Sequence, residues 1–219
     1  MADGILKVGQ IQTSSGSGTI TIGQSGETIS VPTGATINLS NATQTGVGDC
    51  VLISTTTMSG TASTIDITSG IDSTYTVYKL YFTNVSAEGA GNTVWMTISN
   101  DGGSSFTGSN YIHTGYEVNY TGSGSSSSIQ GANNFVQIAN NLANYNDATT
   151  EGACGYVEFY TPNLTRKPVF TGMTAQYNDA GSADAYYWGG MNTVATTINA
   201  IRFGASNNLH GTLKLYGYK

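Results

Sequence analysis

The chain has 219 residues, enough for one large β domain or for a small element followed by a domain of ordinary size. Only 9% of its residues are charged, well below the usual quarter or so, and Ser, Thr, Asn and Gly supply the polar character instead. A net charge of −6, with seven scattered basic residues, argues against nucleic acid and against an anionic membrane surface, because phosphate binding needs clustered Lys and Arg.

The 14 tyrosines and many β-branched residues favour sheet, and the composition lacks the high charge of disordered chains. Uncharged hydroxyl and amide surfaces suit tightly packed assemblies, where burying charge is costly. No apolar run reaches the ~20 residues of a membrane span, so no membrane insertion is expected. The opening residues lack a charged segment followed by a long apolar one, which points to folding in a cytoplasm.

Residues 1–17 carry Ile5-Leu6-Lys7-Val8 and Ile11, then Ser14-Ser-Gly-Ser-Gly18, a pattern expected for an attachment segment and hinge. A repeat follows. Gly26-Glu-Thr-Ile-Ser-Val31 aligns residue for residue with Gly34-Ala-Thr-Ile-Asn-Leu39, and Gly18-Thr-Ile-Thr-Ile22 fits after a one-residue slip. Each unit reads as a short alternating strand closed by a small polar turn. Two large apolar residues per strand make too thin a core for one chain, since an isolated hairpin is marginal in water. Repeats of one unit need neighbours, and the simplest neighbour is the same segment of another copy. Threefold symmetry would bring Ile20, Ile22, Ile29, Val31, Ile37 and Leu39 of three chains to one axis. An ordinary meander folded onto its own domain is the alternative.

Residues 41–48 read as a connector, making 18–48 the stalk, and the first aromatic residue of the chain is Tyr75. A C-terminal head over 49–219 is expected. Its candidate strands are 50–54, 64–68, 74–85, 93–99, 111–120, 135–139, 155–161, 169–177, 185–188, 198–203 and 211–216. Val94, Met96 and Ile98 would share a face opposite Trp95, and Leu213 and Leu215 a face opposite Lys214 and Tyr216. Short strands separated by Gly/Ser/Asn turns predict an all-β fold, a jelly-roll-like antiparallel β-sandwich behind a trimeric stalk built as a β-prism or spiral. The segment 139–144 is the one helical candidate, weakened by its asparagines.

Three phrases carry a family resemblance: Gly4-Ile-Leu-Lys-Val-Gly-Gln-Ile-Gln through Thr19-Ile-Thr-Ile-Gly23, Ile29-Ser-Val-Pro-Thr-Gly-Ala-Thr-Ile37, and Ile201-Arg-Phe203 with Gly211-Thr-Leu-Lys-Leu-Tyr-Gly217. Together they resemble bacteriophage tail-fibre and related virion fibre proteins. The resemblance covers both ends of the chain and is weaker between them. It implies a homotrimer in the virion, assembled in the bacterial host cytoplasm, docked to other virion proteins by its N-terminus and facing the host with its C-terminal domain. Head fibres and capsid decoration proteins use similar parts, so a structural ornament of the particle is an alternative.

The sharpest local motif is Ser99-Asn-Asp101-Gly-Gly103-Ser-Ser105-Phe106, which fits the Asp-box pattern of sialidases and other β proteins. Its physics is that of a hairpin turn: Asp101 accepts backbone N–H bonds, Gly103 takes positive φ, and Phe106 is expected to pin the turn to the core. A sialidase would need three arginines, and the chain has only Arg166 and Arg202. Carboxylates are available for glycoside hydrolysis, but no spacing pairs them, so a polysaccharide depolymerase is a second alternative and no enzyme is expected. His113 and His210 lack any nucleophile signature and read as surface or interface residues; no metal or cofactor pattern accompanies them. Cys50 and Cys154 read as small buried hydrophobes. The expected binding regions are two Asn- and Tyr-rich loops, 140–151 and 178–190, with Tyr145, Asn146, Tyr186, Tyr187 and Trp188 as receptor contacts, because flat rings and in-plane amides suit sugars or a protein receptor on the host. Tyr186 to Trp188 could instead form a strand packing a core or a subunit interface.

Overall fold

The computed structural model describes residues 21, 22, 26, 28–36, 50–119, 134–145, 152–160 and 165–219. The chain divides into two units, Met1–Val47 and Gly48–Lys219.

In the first unit, Gly26 and Gly34 occupy equivalent places in the sequence repeat and have nearly the same backbone, at φ +89° and +88°. Gly34 sits in a tight turn that the Ala35 N–H closes by donating to the Pro32 carbonyl at 3.1 Å. Residues 28–32 carry no strand pairing within the single chain, where the sequence expects a strand. Ile20, Ile37 and Leu39 lie outside the described residues.

The second unit is all-β, with no helix among its described residues. In chain order its strands are β1 (Cys50–Ser59), β2 (Thr64–Ile67), β3 (Val77–Ala87), β4 (Asn92–Ser99), β5 (Tyr111–Asn119), β6 (Val136–Leu142), β7 (Ala153–Tyr160), β8 (Val169–Tyr177), β9 (Ala183–Asn192), β10 (Ala200–Gly204) and β11 (Leu209–Tyr218). They form two antiparallel sheets, one of seven strands in the order β1-β11-β3-β7-β8-β9-β5 and one of four in the order β2-β10-β4-β6. Successive strands pass from one sheet to the other except in the β7-β8-β9 meander, the pattern of a sandwich.

Alternation explains each strand. Tyr78, Leu80 and Phe82 of β3 are fully buried while Lys79 and Tyr81 face outward, and Val157 and Phe159 of β7 repeat the pattern. In β4, Val94, Met96 and Ile98 are buried. Aromatic pairs fill the core: Tyr78 stacks on Phe159 at 5.5 Å, Phe82 meets Phe203 of the opposite sheet at 5.9 Å, and Tyr111 meets Phe170 at 6.4 Å. Polar ties cross between the sheets. The Ile98 N–H donates to the Tyr111 hydroxyl at 3.0 Å, and the Thr174 hydroxyl donates to the Ile138 carbonyl at 2.7 Å. Burial pushes the Tyr111 phenol up to about 12, so it stays neutral.

The helical candidate 139–144 is instead the end of β6 and the turn after it. Asn141 takes a left-handed backbone, φ +53°, which breaks a helix and which asparagine tolerates. Two core rings need a cross-strand glycine. A Cβ on Gly155 would strike the Met173 carbonyl and crowd the Phe82 ring, and one on Gly172 would strike the Trp188 ring and the Tyr156 carbonyl.

Candidate functional site

The outer face of the seven-stranded sheet presents a three-by-three array. Lys214, Tyr216 and Tyr218 come from β11, Tyr81, Lys79 and Val77 from β3, and Tyr156, Glu158 and Tyr160 from β7. Register sets the rows: Lys214 opposes Tyr81, which opposes Tyr156; Tyr216 opposes Lys79, which opposes Glu158; Tyr218 opposes Val77, which opposes Tyr160. Cross-strand partners of this kind lie close enough for rings and long chains to touch.

At the centre Lys79 Nζ lies 2.6 Å from Glu158 Oε1, and the Tyr160 hydroxyl donates to Glu158 Oε2 at 2.9 Å. The same ammonium sits 4.0 Å from the Tyr156 ring centroid and 5.3 Å from that of Tyr81. Tyr81 meets Tyr216 edge-on at 5.5 Å. Partial burial disfavours the Glu158 carboxylate, but the Lys79 and Tyr160 hydrogen bonds and the Lys79 charge outweigh it and hold the carboxyl below its ordinary value. Burial likewise works against the Lys79 ammonium, and Glu158 and Tyr81 outweigh it, leaving the pKa raised. The hydrogen bond to Glu158, then burial, raises the Tyr160 phenol. Val77, Lys79, Glu158, Tyr160 and Tyr218 line a shallow concavity of about 280 Å³.

Farther along the same face, Met173 and Tyr187 continue the Tyr156 row to Tyr116. A separate, wider depression of about 570 Å³ is lined by residues 112–114 of β5, Val169 and Phe170 of β8, and residues 189–191 of β9.

The expected loop contacts are scattered. Residues 183–190 are strand β9, not loop, so alternation splits the aromatic run: Tyr187 is 56% exposed, while Tyr186 and Trp188 are only 9% and 7% exposed. The Trp188 indole N–H donates to the Thr174 hydroxyl at 3.4 Å inside the sandwich. Burial, then the Glu117 carboxylate, raises the Tyr186 phenol. Tyr145 is exposed, and its ring stacks on His210 at 3.4 Å. Asn146 lies outside the described residues.

The Asp-box residues form a closed hydrogen-bonded turn after β4. Asp101 Oδ1 accepts from the Ser99 hydroxyl at 2.6 Å and from the Ser105 N–H at 2.9 Å, and Oδ2 accepts from the Ser105 hydroxyl at 2.6 Å. The Gly103 N–H donates to Ser99 Oγ at 2.9 Å, with φ +88°. The Ser105 hydroxyl, then Ser99 and the Ser105 N–H, lower the Asp101 carboxyl to about 2. Phe106 is only half-buried. It packs beneath the Arg202 guanidinium at 4.1 Å, and Arg202 is held by Asp66 at 2.7 and 2.8 Å.

Three smaller expectations need correction. Cys50 and Cys154 are exposed free thiols, not buried hydrophobes; the Cys154 sulfur accepts from the Asn84 N–H at 3.2 Å. His113 is buried, not at the surface, because its place in β5 points inward; neither ring nitrogen has a hydrogen-bond partner among the described residues, and burial lowers its pKa. Among the described residues, no three His, Cys, Asp or Glu side chains gather as a metal site, and no helix is long and apolar enough to cross a membrane.

The tyrosine array contains none of the receptor contacts expected from sequence. Its signal was present: Lys79-x-Tyr81, Tyr156-x-Glu158-x-Tyr160 and Lys214-x-Tyr216-x-Tyr218 share a period of two. What period alone withholds is that β11, β3 and β7 are neighbours in this register. Comparison with known proteins returned no family model, no curated protein and no solved structure that matches the chain.

Proposed function

We propose that this is a non-enzymatic bacteriophage virion protein: a homotrimeric fibre or receptor-binding tip with an N-terminal β-repeat stalk and a jelly-roll-like head. The observation that carries this reading is the exposure of the repeat's large apolar side chains in a single chain, where Ile22, Ile29 and Val31 are 64%, 60% and 42% exposed. Water-exposed isoleucines at repeating positions find a dry environment when sister copies meet. The matched backbone of Gly26 and Gly34 supports the repeat as a structural unit. In this reading residues 1–17 dock to other virion proteins, the stalk sets the threefold axis, and the head faces the host, where three weak contacts act together.

The test is the mass of the full chain by size-exclusion chromatography with light scattering, beside an Ile29→Ser/Val31→Ser variant. A trimer that the double substitution dissociates supports the reading, and a wild-type monomer overturns it. Virions lacking the protein should adsorb poorly; unimpaired adsorption removes the host-binding role and leaves a structural one.

A further inference from the structure

We propose that the array of Tyr81, Tyr156, Tyr160, Tyr216 and Tyr218 around the Lys79–Glu158 pair is a binding site for an uncharged glycan. The inference rests on the reading of the head as the host-facing part, and names the surface that does the work.

Sugars offer apolar CH faces and hydroxyls that both donate and accept. The array answers each property. Its rings stand on three paired strands, so their spacing is fixed before a ligand arrives and little side-chain freedom remains to be lost. A tyrosine ring gives an apolar face with a hydroxyl at its tip. Between the rings lie an ammonium with three donors and a carboxylate with four lone-pair sites, already aligned at 2.6 Å. A hydroxyl can accept from Lys79 and donate to Glu158 at once. A carboxylate or phosphate group would meet Glu158, and a cation would meet Lys79, so the concavity between Val77, Tyr160 and Tyr218 selects neutral groups. The further charge in the array, Lys214, is exposed at its corner beside Tyr81, away from that concavity. A few polar groups fixed in a concave, mostly apolar setting is the usual form of a ligand site.

The experiment applies the full-length chain to a printed array of neutral and anionic glycans. Wild type retains neutral glycans. Tyr156→Ala and Tyr160→Ala weaken retention about ten-fold or more, as expected for truncating a central aromatic anchor. Glu158→Gln, which keeps the side chain's shape, also weakens it, and Tyr187→Ala does not. Thermal melts confirm that each variant is folded. The proposal is overturned if no neutral glycan is retained, if anionic glycans are preferred, or if folded Tyr156→Ala and Tyr160→Ala bind as wild type does. It is also overturned if those variants lower the mass in solution, because the face would then be an interface between copies. A trimer that ignores neutral glycans keeps the fibre reading and loses this one; a monomer that binds them does the reverse.

Discussion

Replacing Lys79 with Met tests the energetics of the outer face. The change removes an ion pair at 2.6 Å and a cation held 4.0 Å from the Tyr156 ring. Fully exposed ion pairs contribute about 0.2–1 kcal/mol. The Lys79 and Glu158 side chains are only 17% and 22% exposed, so the upper end applies. The cation–π contact adds about 0.5–1 kcal/mol. Lys79→Met should therefore cost about 1.5–2 kcal/mol by urea unfolding. At about 2–4 °C per kcal/mol for a domain of this size, Tm falls by roughly 3–8 °C. Crossing it with Glu158→Gln isolates the pair, with an expected coupling of about 1 kcal/mol. Strictly additive single effects, or an unchanged Tm in Lys79→Met, would refute the argument. Additive effects would mean that solvent screens out the attraction itself, and an unchanged Tm would mean that desolvation of the charges cancels it.

Gly155→Ala should destabilise the domain by at least about 1–3 kcal/mol, because the new methyl strikes the Met173 carbonyl, which is backbone and cannot swing aside. Gly108→Ala, with open space around it and no positive φ, should stay within about 0.5 kcal/mol of wild type in the same denaturant titration. His113 predicts a pH dependence. Burial lowers its folded pKa, so the unfolded state binds the proton more readily, and stability falls as pH drops below about 6.5 and on through the lower folded value. Melting curves between pH 7.5 and 5 should fall for wild type and fall less for His113→Phe; parallel curves would show that the buried imidazole does not titrate there.

The strands were legible because each carries its own two-residue period. All eleven expected segments overlap observed strands, and β8 coincides end to end. Lys214 and Tyr216 were placed opposite Leu213 and Leu215 by alternation alone, and they lie on that outer face. What the sequence withheld is non-local. No local pattern says that β11 lies between β1 and β3, or that Lys79 opposes Glu158. The run Tyr186 to Trp188 reads in the sequence both as part of a binding loop and as a strand packing a core, and the structure bears out the strand: pairing with β5 and β8 turns two of its three rings inward. Phe106 looked like a core anchor, and a guanidinium covers it instead, because Arg202 arrives from β10 across a distance of 96 residues in sequence between Phe106 and Arg202. Residue type alone favours burial for Cys154, but its place in β7 leaves it exposed.

Sedimentation equilibrium of the intact chain tests the central claim most directly, since everything about the stalk follows from uncovered Ile22, Ile29 and Val31 requiring sister chains. The account predicts a single species of three times the 22.8 kDa chain mass, reverting toward one chain when Ile29 and Val31 become Ser. A wild-type species of one chain mass at every concentration would contradict it.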